Sequence, residues 1–590
     1  MIRLLLCALL LSGPASAQVR NPDTFTYLTI SDSDSLDPAW AYDTSSQAVI
    51  LNAYEPLFWF RGSSLEQLDP LVASKVPSRA NGLISADGRV YTIPIRKNIK
   101  FHDGSPLTPE DVRYSILRFM LQDRDAGPSG LLLLPLTGEH GTRDDHNNIR
   151  PGIYAAAAKA VQVKGDNLVL TLPKPYAPLL SLLASWAPVV SKQWAVKNKD
   201  WSGAEADWQK FNNPLKQTSP FFEKEMGSGP FRVVRWDRPA TQLVLERYDG
   251  YWRGPAKLRR VVIKGLNEFS TRKLRLQAGD ADSIYAMAPE LEQVQHIAGA
   301  HVTMDLPMCE MNPVVFFTFK INPVANPNLG SGKLDGQGIP SDFFNDLDVR
   351  KGFAYAFDYM GYIKDARRGM GVQATGFIPY VLPGHNANQA KYTYDPKQAA
   401  EHFKKAWKGQ VWEKGFTFTM LYNSGNQERE TIAQILKKNV EALNPKFRID
   451  VRPVEWPAFL DQSNASKLPI FVLGWQADFP DPHNFAFEMM HSHGNYGTIQ
   501  HYSDPKVDKL VEEAIAESDM AKRKPLYFKL QQIEHDDVPH LVIVDSVRFR
   551  TDRDWVHGYV HNAIFPDSPY GAYYYPMWKG PAAPAGKGKR

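Results

Sequence analysis

Short stretches of alternating apolar and polar residues, separated by turns of glycine, proline and asparagine, dominate the first half of the chain. Residues 24–30 (TFTYLTI) and 89–97 (RVYTIPIRK) have the period of two that predicts strands. Residues 161–172 read as a hairpin around Lys164-Gly165-Asp166-Asn167, and 230–248 as a second strand pair followed by a strand at 258–263. Helical spacing takes over at 45–60, which ends in the aromatic cluster Tyr54, Phe58, Trp59 and Phe60, and again at 270–277. Thr108-Pro109-Glu110-Asp111 predicts a helix start, with threonine as cap, proline as first helical residue and an aspartate placed to complete a capping box; residues 112–120 continue that helix. Residues 122–151 are rich in glycine, proline and charge and read as an extended loop carrying one apolar piece, 131–136.

In the second half, amphipathic helices at 348–368, 396–407, 428–442 and 504–517 alternate with strands at 416–421, 448–454 and 470–473. That alternation predicts an α/β lobe around a mixed sheet. Between the halves, 322–341 is a Gly/Pro/Asn loop expected near a domain edge, and no internal repeat is evident. The length of 590 residues and the 43% hydrophobic content are enough for several large cores. Sixty-eight basic against 64 acidic residues give a net charge of only +4, which excludes the dense basic face of a nucleic-acid binder.

The start of the chain is a separate matter. Residues 1–17 (MIRLLLCALLLSGPASA) place one positive charge before a short apolar run and an Ala-Ser-Ala site, the pattern of a cleavable export signal. The run is too short for a permanent membrane span. Export invites disulfides, yet beyond this segment the only cysteine is Cys309, which cannot close an internal bridge and reads as a buried small hydrophobe. The tail at 580–590 (GPAAPAGKGKR) reads as a disordered basic end.

Catalytic signatures fail on inspection. Gly332-Lys333 lacks both the hydroxyl residue and the first glycine of a phosphate loop, and neither a Gly-x-Ser-x-Gly elbow nor a His-Glu-x-x-His helix occurs. His483, His491, His493 and His501 crowd one polar stretch beside Asp478 and Asp481; a metal site is conceivable, but their spacing fits loop histidines on a lobe edge better. Trp40, Tyr42, Tyr285, Trp456 and Trp475 each sit in polar, turn-rich surroundings and are candidates for a cleft wall as well as for a core. The segment 468–490 is the most informative. An apolar strand runs into Gly474-Trp475-Gln476-Ala477 and then Asp478, so an open strand edge there could pair with an extended ligand backbone while the carboxylate holds an ammonium group. A turn or cap aspartate leading into Asp481-Pro482 is the other reading, and both stay open.

These pieces carry a resemblance. Ser35-Leu36-Asp37-Pro38, then Tyr54-Glu55-Pro56-Leu57, then residues 101–112 (FHDGSPLTPEDV), Gly229-Pro230-Phe231, Leu245-Glu246-Arg247-Tyr248 before Tyr251-Trp252, Ile321-Asn322, Asp348-Val349-Arg350 and finally Gly474-Trp475-Gln476-Ala477-Asp478 follow in register over nearly the whole chain. In this the sequence resembles the extracellular solute-binding proteins of ABC transporters, family 5, the group of the periplasmic dipeptide- and oligopeptide-binding proteins. The resemblance implies an α/β, two-lobed Venus-flytrap fold with an additional third domain: 18–60, 188–305 and 546–590 in lobe I, 61–187 in domain II and 306–545 in lobe III. It implies no enzymatic activity and no cofactor. The implied partners are a peptide or other small solute and a membrane permease, and the implied location is the periplasm; a monomer is the default for a shuttle that docks on one face. Asp478 would hold the ligand's α-ammonium group. Gly474, Trp475 and Gln476, with the segment from Tyr42 to Thr44, would pair with its backbone, and Tyr285 and Trp456 would line side-chain pockets. The sequence departs where oligopeptide binders can place a basic residue before the Gly-Trp pair to meet the ligand carboxylate, because Phe471-Val472-Leu473 stands there. Alternatives within the fold are a sugar, a chelated metal or another nutrient as cargo; outside it stands an exported hydrolase with paired carboxylates or a chaperone-like surface protein.

Overall fold

A computed structural model describes residues 19–30, 32–125, 127–144, 146–517, 519–565 and 571–581. The expected leader at 1–17 and all but the start of the basic tail lie outside the described residues. One lobe is built on a seven-stranded sheet in the spatial order Ala300–Pro307, Val547–Arg553, Ser283–Ile284, Thr24–Thr29, Arg260–Gly265, Gln242–Arg247, Phe231–Asp237. Thr24–Thr29 lies in its middle, paired parallel on both sides. Alternation along it serves two cores: Phe25 and Tyr27 pack with Phe231, Leu245 and Val261, whereas Leu28 packs with Leu276 and Ile284 on the opposite face.

The third unit is a small antiparallel sheet (Val90–Pro94, Asn167–Thr171, Val161–Lys164) backed by the helix Pro109–Gln122. The capping box forms as the sequence predicts, with the Thr108 side chain accepting from the Asp111 amide and Asp111 returning the bond to the Thr108 amide at 2.9 Å. Two expectations fail nearby. Residues 45–60 are not one helix: Thr44–Ala53 stops before Pro56, which disfavours helical backbone at the residue preceding it, and Phe58–Phe60 becomes a strand against Leu68–Pro70. Residues 122–151 are not one loop either. Gly130–Thr137 is helical, closed by Gly138 at a φ of 86°, and Leu132, Leu133 and Leu136 anchor it in the core.

The other lobe holds the mixed five-stranded sheet that the helix–strand alternation anticipates: Phe447–Val454, Phe416–Asn423, Ile470–Gln476, Glu310–Phe317, His540–Val542. Gln427–Leu443, Pro396–Lys405 and Leu347–Ala356 bury their apolar faces with Phe418, Ile449 and Val472 of the sheet. Residues 348–368 break after Ala356, because Asp358 caps a new turn by accepting from the Gly361 amide at 2.9 Å. The loop 322–341 marks no domain edge, since Phe317 before it and Phe343 after it share one core. The chain passes between the two large sheets at 307–310 and again at 545–547.

Several motif residues are buried staples of the fold. Asp37, fully buried, receives both terminal nitrogens of Arg118 at 2.6 Å, and Asp200 receives the Arg118 Nε at 2.7 Å. Glu55 accepts from the Tyr251 hydroxyl, the Trp252 indole and the Ser228 hydroxyl. His102 meets Glu225 at 2.8 Å. Charges taken out of water in this way must be paired or hydrogen-bonded throughout, so these motifs speak for the fold.

Candidate functional site

A cavity of about 820 Å³ lies between the lobes and the third unit. Its wall is set by the strand Ile470–Gln476. On one side Glu310–Phe317 pairs with that strand to its end, Glu310 opposite Gln476. On the other, the parallel strand Phe416–Asn423 touches it only at Leu421 opposite Phe471, so beyond Phe471 that edge leaves its neighbour and borders the cavity. Glycine is required at 474: a Cβ there would sit 2.4 Å from the Asn312 side chain. Gly474, Trp475, Gln476 and Asp478 all line the cavity, as do Tyr42, Thr44 and Trp456.

Each of these side chains has a place. Trp475 donates its indole N–H to Asn484 at 2.8 Å, and the Gly474 carbonyl accepts from the Tyr496 hydroxyl at 2.7 Å. The Gln476 amide reaches the carbonyls of Cys309, Ala563 and Ile564, so its side chain serves the wall rather than the space. Tyr42 packs edge-on against Trp186 at 5.2 Å and Trp475 at 5.7 Å. Thr44 opens the helix that Asp43 caps.

Asp478 is 5% exposed. Its Oδ2 accepts from the Tyr42 hydroxyl at 3.1 Å and from Asn484 Nδ2 at 2.8 Å, and its own amide donates to Asn484 Oδ1 at 2.9 Å. It is not the helix cap; Asp481 caps Pro482–Met490. Both hydrogen-bond partners are neutral, and among the described residues Asp478 makes no ion pair. Burial therefore raises its pKa to about 7, the two hydrogen bonds only partly opposing the shift. Behind it the buried Glu488, held by the Asn495 amide at 2.9 Å, is raised to about 8 by burial and by the charge of Asp478. Asp478 and Glu488 thus lie buried near one another, neither in an ion pair among the described residues.

Sequence reasoning misplaced one aromatic. Tyr285 does not line the cavity: it packs in the core with Phe25 and Tyr27 and borders a separate narrow crevice. Trp40, open between cleft and core in the sequence, is wholly buried and donates to Gln122 at 2.6 Å. The reading of the histidines as loop residues on a polar edge also fails, because His483 lies in Pro482–Met490 and both it and His491 are buried. Among the described residues no group of three or more His, Cys, Asp or Glu side chains is arranged to hold a metal ion. Cys309 is buried, as anticipated.

Other wall residues went unseen in the sequence. Trp186 comes from the third unit. Behind the wall, Asn484, which locks Trp475 and Asp478 together, carries no signal beyond its place in the first turn after a capping aspartate. Arg429, in the first turn of Gln427–Leu443, is 9% exposed, donates to Asn423 at 2.8 Å and sits 5.2 Å from the Trp456 ring. It places a guanidinium in the cavity wall, which the stretch 471–473 does not.

Residues 67–497 match the model for bacterial extracellular solute-binding proteins, family 5. The chain belongs to that family. Among curated relatives this solute-binding protein is 25% identical to the oligopeptide-binding protein OppA of Bacillus subtilis, over 88% of this chain and 86% of that one. It is equally identical to heme-binding protein A of Haemophilus influenzae, over 95% and 94%. Its fold matches DppA of Helicobacter pylori, solved with the peptide STSA, with a TM-score of 0.74 at 22% identity over 94% and 98% of the chains. NikA of Staphylococcus aureus, solved with Ni(L-His)2, matches with a TM-score of 0.71 at 16% identity over 95% and 100%. The mixed α/β architecture is therefore that of the family over the full length, and the family is one of extracellular binding proteins rather than enzymes.

Proposed function

We propose that this solute-binding protein captures a short peptide with a free amino terminus, closes on it by rotation about the segments 307–310 and 545–547, and delivers it unchanged to a membrane permease. The observation that carries the reading is Asp478: a carboxylate on the cavity wall, buried, held by two neutral groups and lacking a cation. Such a group gains most from an ammonium ligand, which neutralises a charge the fold left uncompensated. The strand edge at 473–476 offers backbone groups beside it, and Arg429 places a positive charge on the same wall. Asp478 and Arg429 line one cavity of about 820 Å³, which suits a short ligand.

In this reading, 18–60, 188–305 and 546–590 form one jaw with 61–187 attached, and 306–545 the other. Residues 1–17 direct export to the periplasm, and the protein acts as a monomer. Moving the clamp from mostly open to mostly closed takes a differential affinity of about 5.5 kcal/mol. Glu310 and Arg548, joined at 2.8 and 2.9 Å where the chain crosses, fix the position of the hinge segments.

Relatives named for heme and for glutathione define the competing cargoes. Native mass spectrometry of the purified protein, followed by calorimetric titration with alanyl-alanine, trialanine, glutathione, heme and nickel–histidine, separates them. Stoichiometric binding of the di- or tripeptide with micromolar or better affinity is expected. Exclusive binding of a non-peptide, or conversion of any of these into product, would overturn the peptide reading.

A further inference from the structure

One cluster of titratable groups lies outside the cavity and spans two units that the proposed closure brings together. His140 follows the helix Gly130–Thr137 in the third unit. Its ring stacks on Phe487 at 5.6 Å and 4° between planes, on His493 at 4.8 Å and on His491 at 5.8 Å, all three in the opposing lobe. His491 and His493 are themselves 5.7 Å apart. Nearby, Tyr176 of the third unit meets Phe479 at 6.4 Å and His483 at 6.2 Å, a second ring contact across the same boundary. The backbone joins the two units only by way of the seven-stranded lobe, so a rotation at 307–310 and 545–547 would part these rings. The contact belongs to the closed form.

The hydrogen bonding keeps His491 neutral. The His493 amide donates to His491 Nδ1 at 3.1 Å, so that nitrogen is unprotonated and the ring's hydrogen resides on Nε2. His491 Nε2 is buried with no hydrogen-bond acceptor; Asp508 and Glu512 approach it only to 3.8 Å. This tautomer presents no lone pair at Nε2, which argues against a metal as the purpose of the cluster. His493, His491 and Arg150 disfavour a proton on His140, and Asp508 favours one. Arg150 is itself 3.5 Å from Glu139, on His140's own side.

We infer that the His140–His491–His493 stack is a pH-sensitive clasp: the stacked rings hold the third unit against the opposing lobe, and a proton on His140 releases it. The inference rests on the hinge reading given above. Parted from the lobe, His140 regains water and an ordinary pKa near 6.5. Within the stack, burial first and the neighbouring histidines second lower it to about 4. The clasp is therefore at full strength above pH 6.5 and weakens as pH falls toward 4, with the closed-to-open ratio down about tenfold at pH 5.5. A periplasmic protein would loosen its hold on cargo in acid surroundings.

The test measures opening directly, on the full chain without ligand. Spin labels on non-natural residues placed at Lys164 in the third unit and Lys405 in the opposing lobe report their separation by pulsed dipolar spectroscopy between pH 7.5 and 4.5. The expected result is a longer-distance population that grows about tenfold relative to the short one near pH 5.5. It should not grow in His140→Phe, which keeps the stacking without the titration, or in His140→Gln. The same pH response in the parent and both variants would overturn the clasp while leaving the hinge intact. A single distance at every pH, unchanged by added alanyl-alanine, would overturn the hinge and the clasp with it.

Discussion

Asp478 and Asp481 stand three residues apart on one turn, both buried, and are treated oppositely. Asp481 caps a helix and receives Arg523 through two bonds of 2.9 and 2.6 Å, the guanidinium being buried as well. Asp478 receives only a phenol and an amide. The first carboxylate is neutralised by the fold, and its geometry is complete without any visitor. The second has its orientation fixed and its charge unanswered. The two carboxylates thus differ in the charge of what surrounds them far more than in burial or local sequence.

The comparison breaks hardest at Arg523. Arg523→Met would strand Asp481 as an unpaired buried charge and should lower unfolding free energy by about 3–5 kcal/mol, read by denaturant titration. Asp478→Asn should do the reverse: little change or a small gain in stability, with affinity for alanyl-alanine falling at least about thirtyfold, in line with roughly 2–5 kcal/mol for one member of a buried charge pair. N-acetyl-alanyl-alanine should lose little by comparison, and equal losses for both ligands would reject the ammonium role.

The same variant should remove a pH slope. In the free protein the Asp478 pKa is raised to about 7. An ammonium ligand lowers it, so the complex binds fewer protons than its parts, and affinity should be full above pH 7 and decline below it by up to about tenfold per unit. Tyr42→Phe is the mildest probe. Losing one hydrogen bond to the carboxylate should cost about 1 kcal/mol of affinity, roughly fivefold, and move the slope to higher pH.

Much of the scaffold was legible residue by residue. Thr108 and Asp111 announce a helix start because both partners of a capping box lie within one turn of each other. The hairpin at 161–172 and the strands at 416–421 and 448–454 follow from a period of two with turn residues between. Where reading failed, distant contacts or neglected breaks decided. The leucines at 131–136 form a helix because a core waits for them, and 45–60 divides at Pro56. Tyr285 and Tyr42 look equally suited to a cleft in the sequence, yet the central sheet turns one into its core and leaves the other against Trp186 and Trp475.

The sequence by itself determined the local elements, the α/β class and the family, and it singled out the segment 474–478, since caps, periods and motifs are short-range properties. Only the tertiary structure decided that Asp481 is paired with Arg523 while Asp478 has only neutral hydrogen-bond partners, that Arg429 shares its cavity, and that His140 faces His491 and His493. Each of those depends on burial and on the distance to charges tens or hundreds of residues away, and electrostatic energy is set by separation and surroundings in space, not by order along the chain.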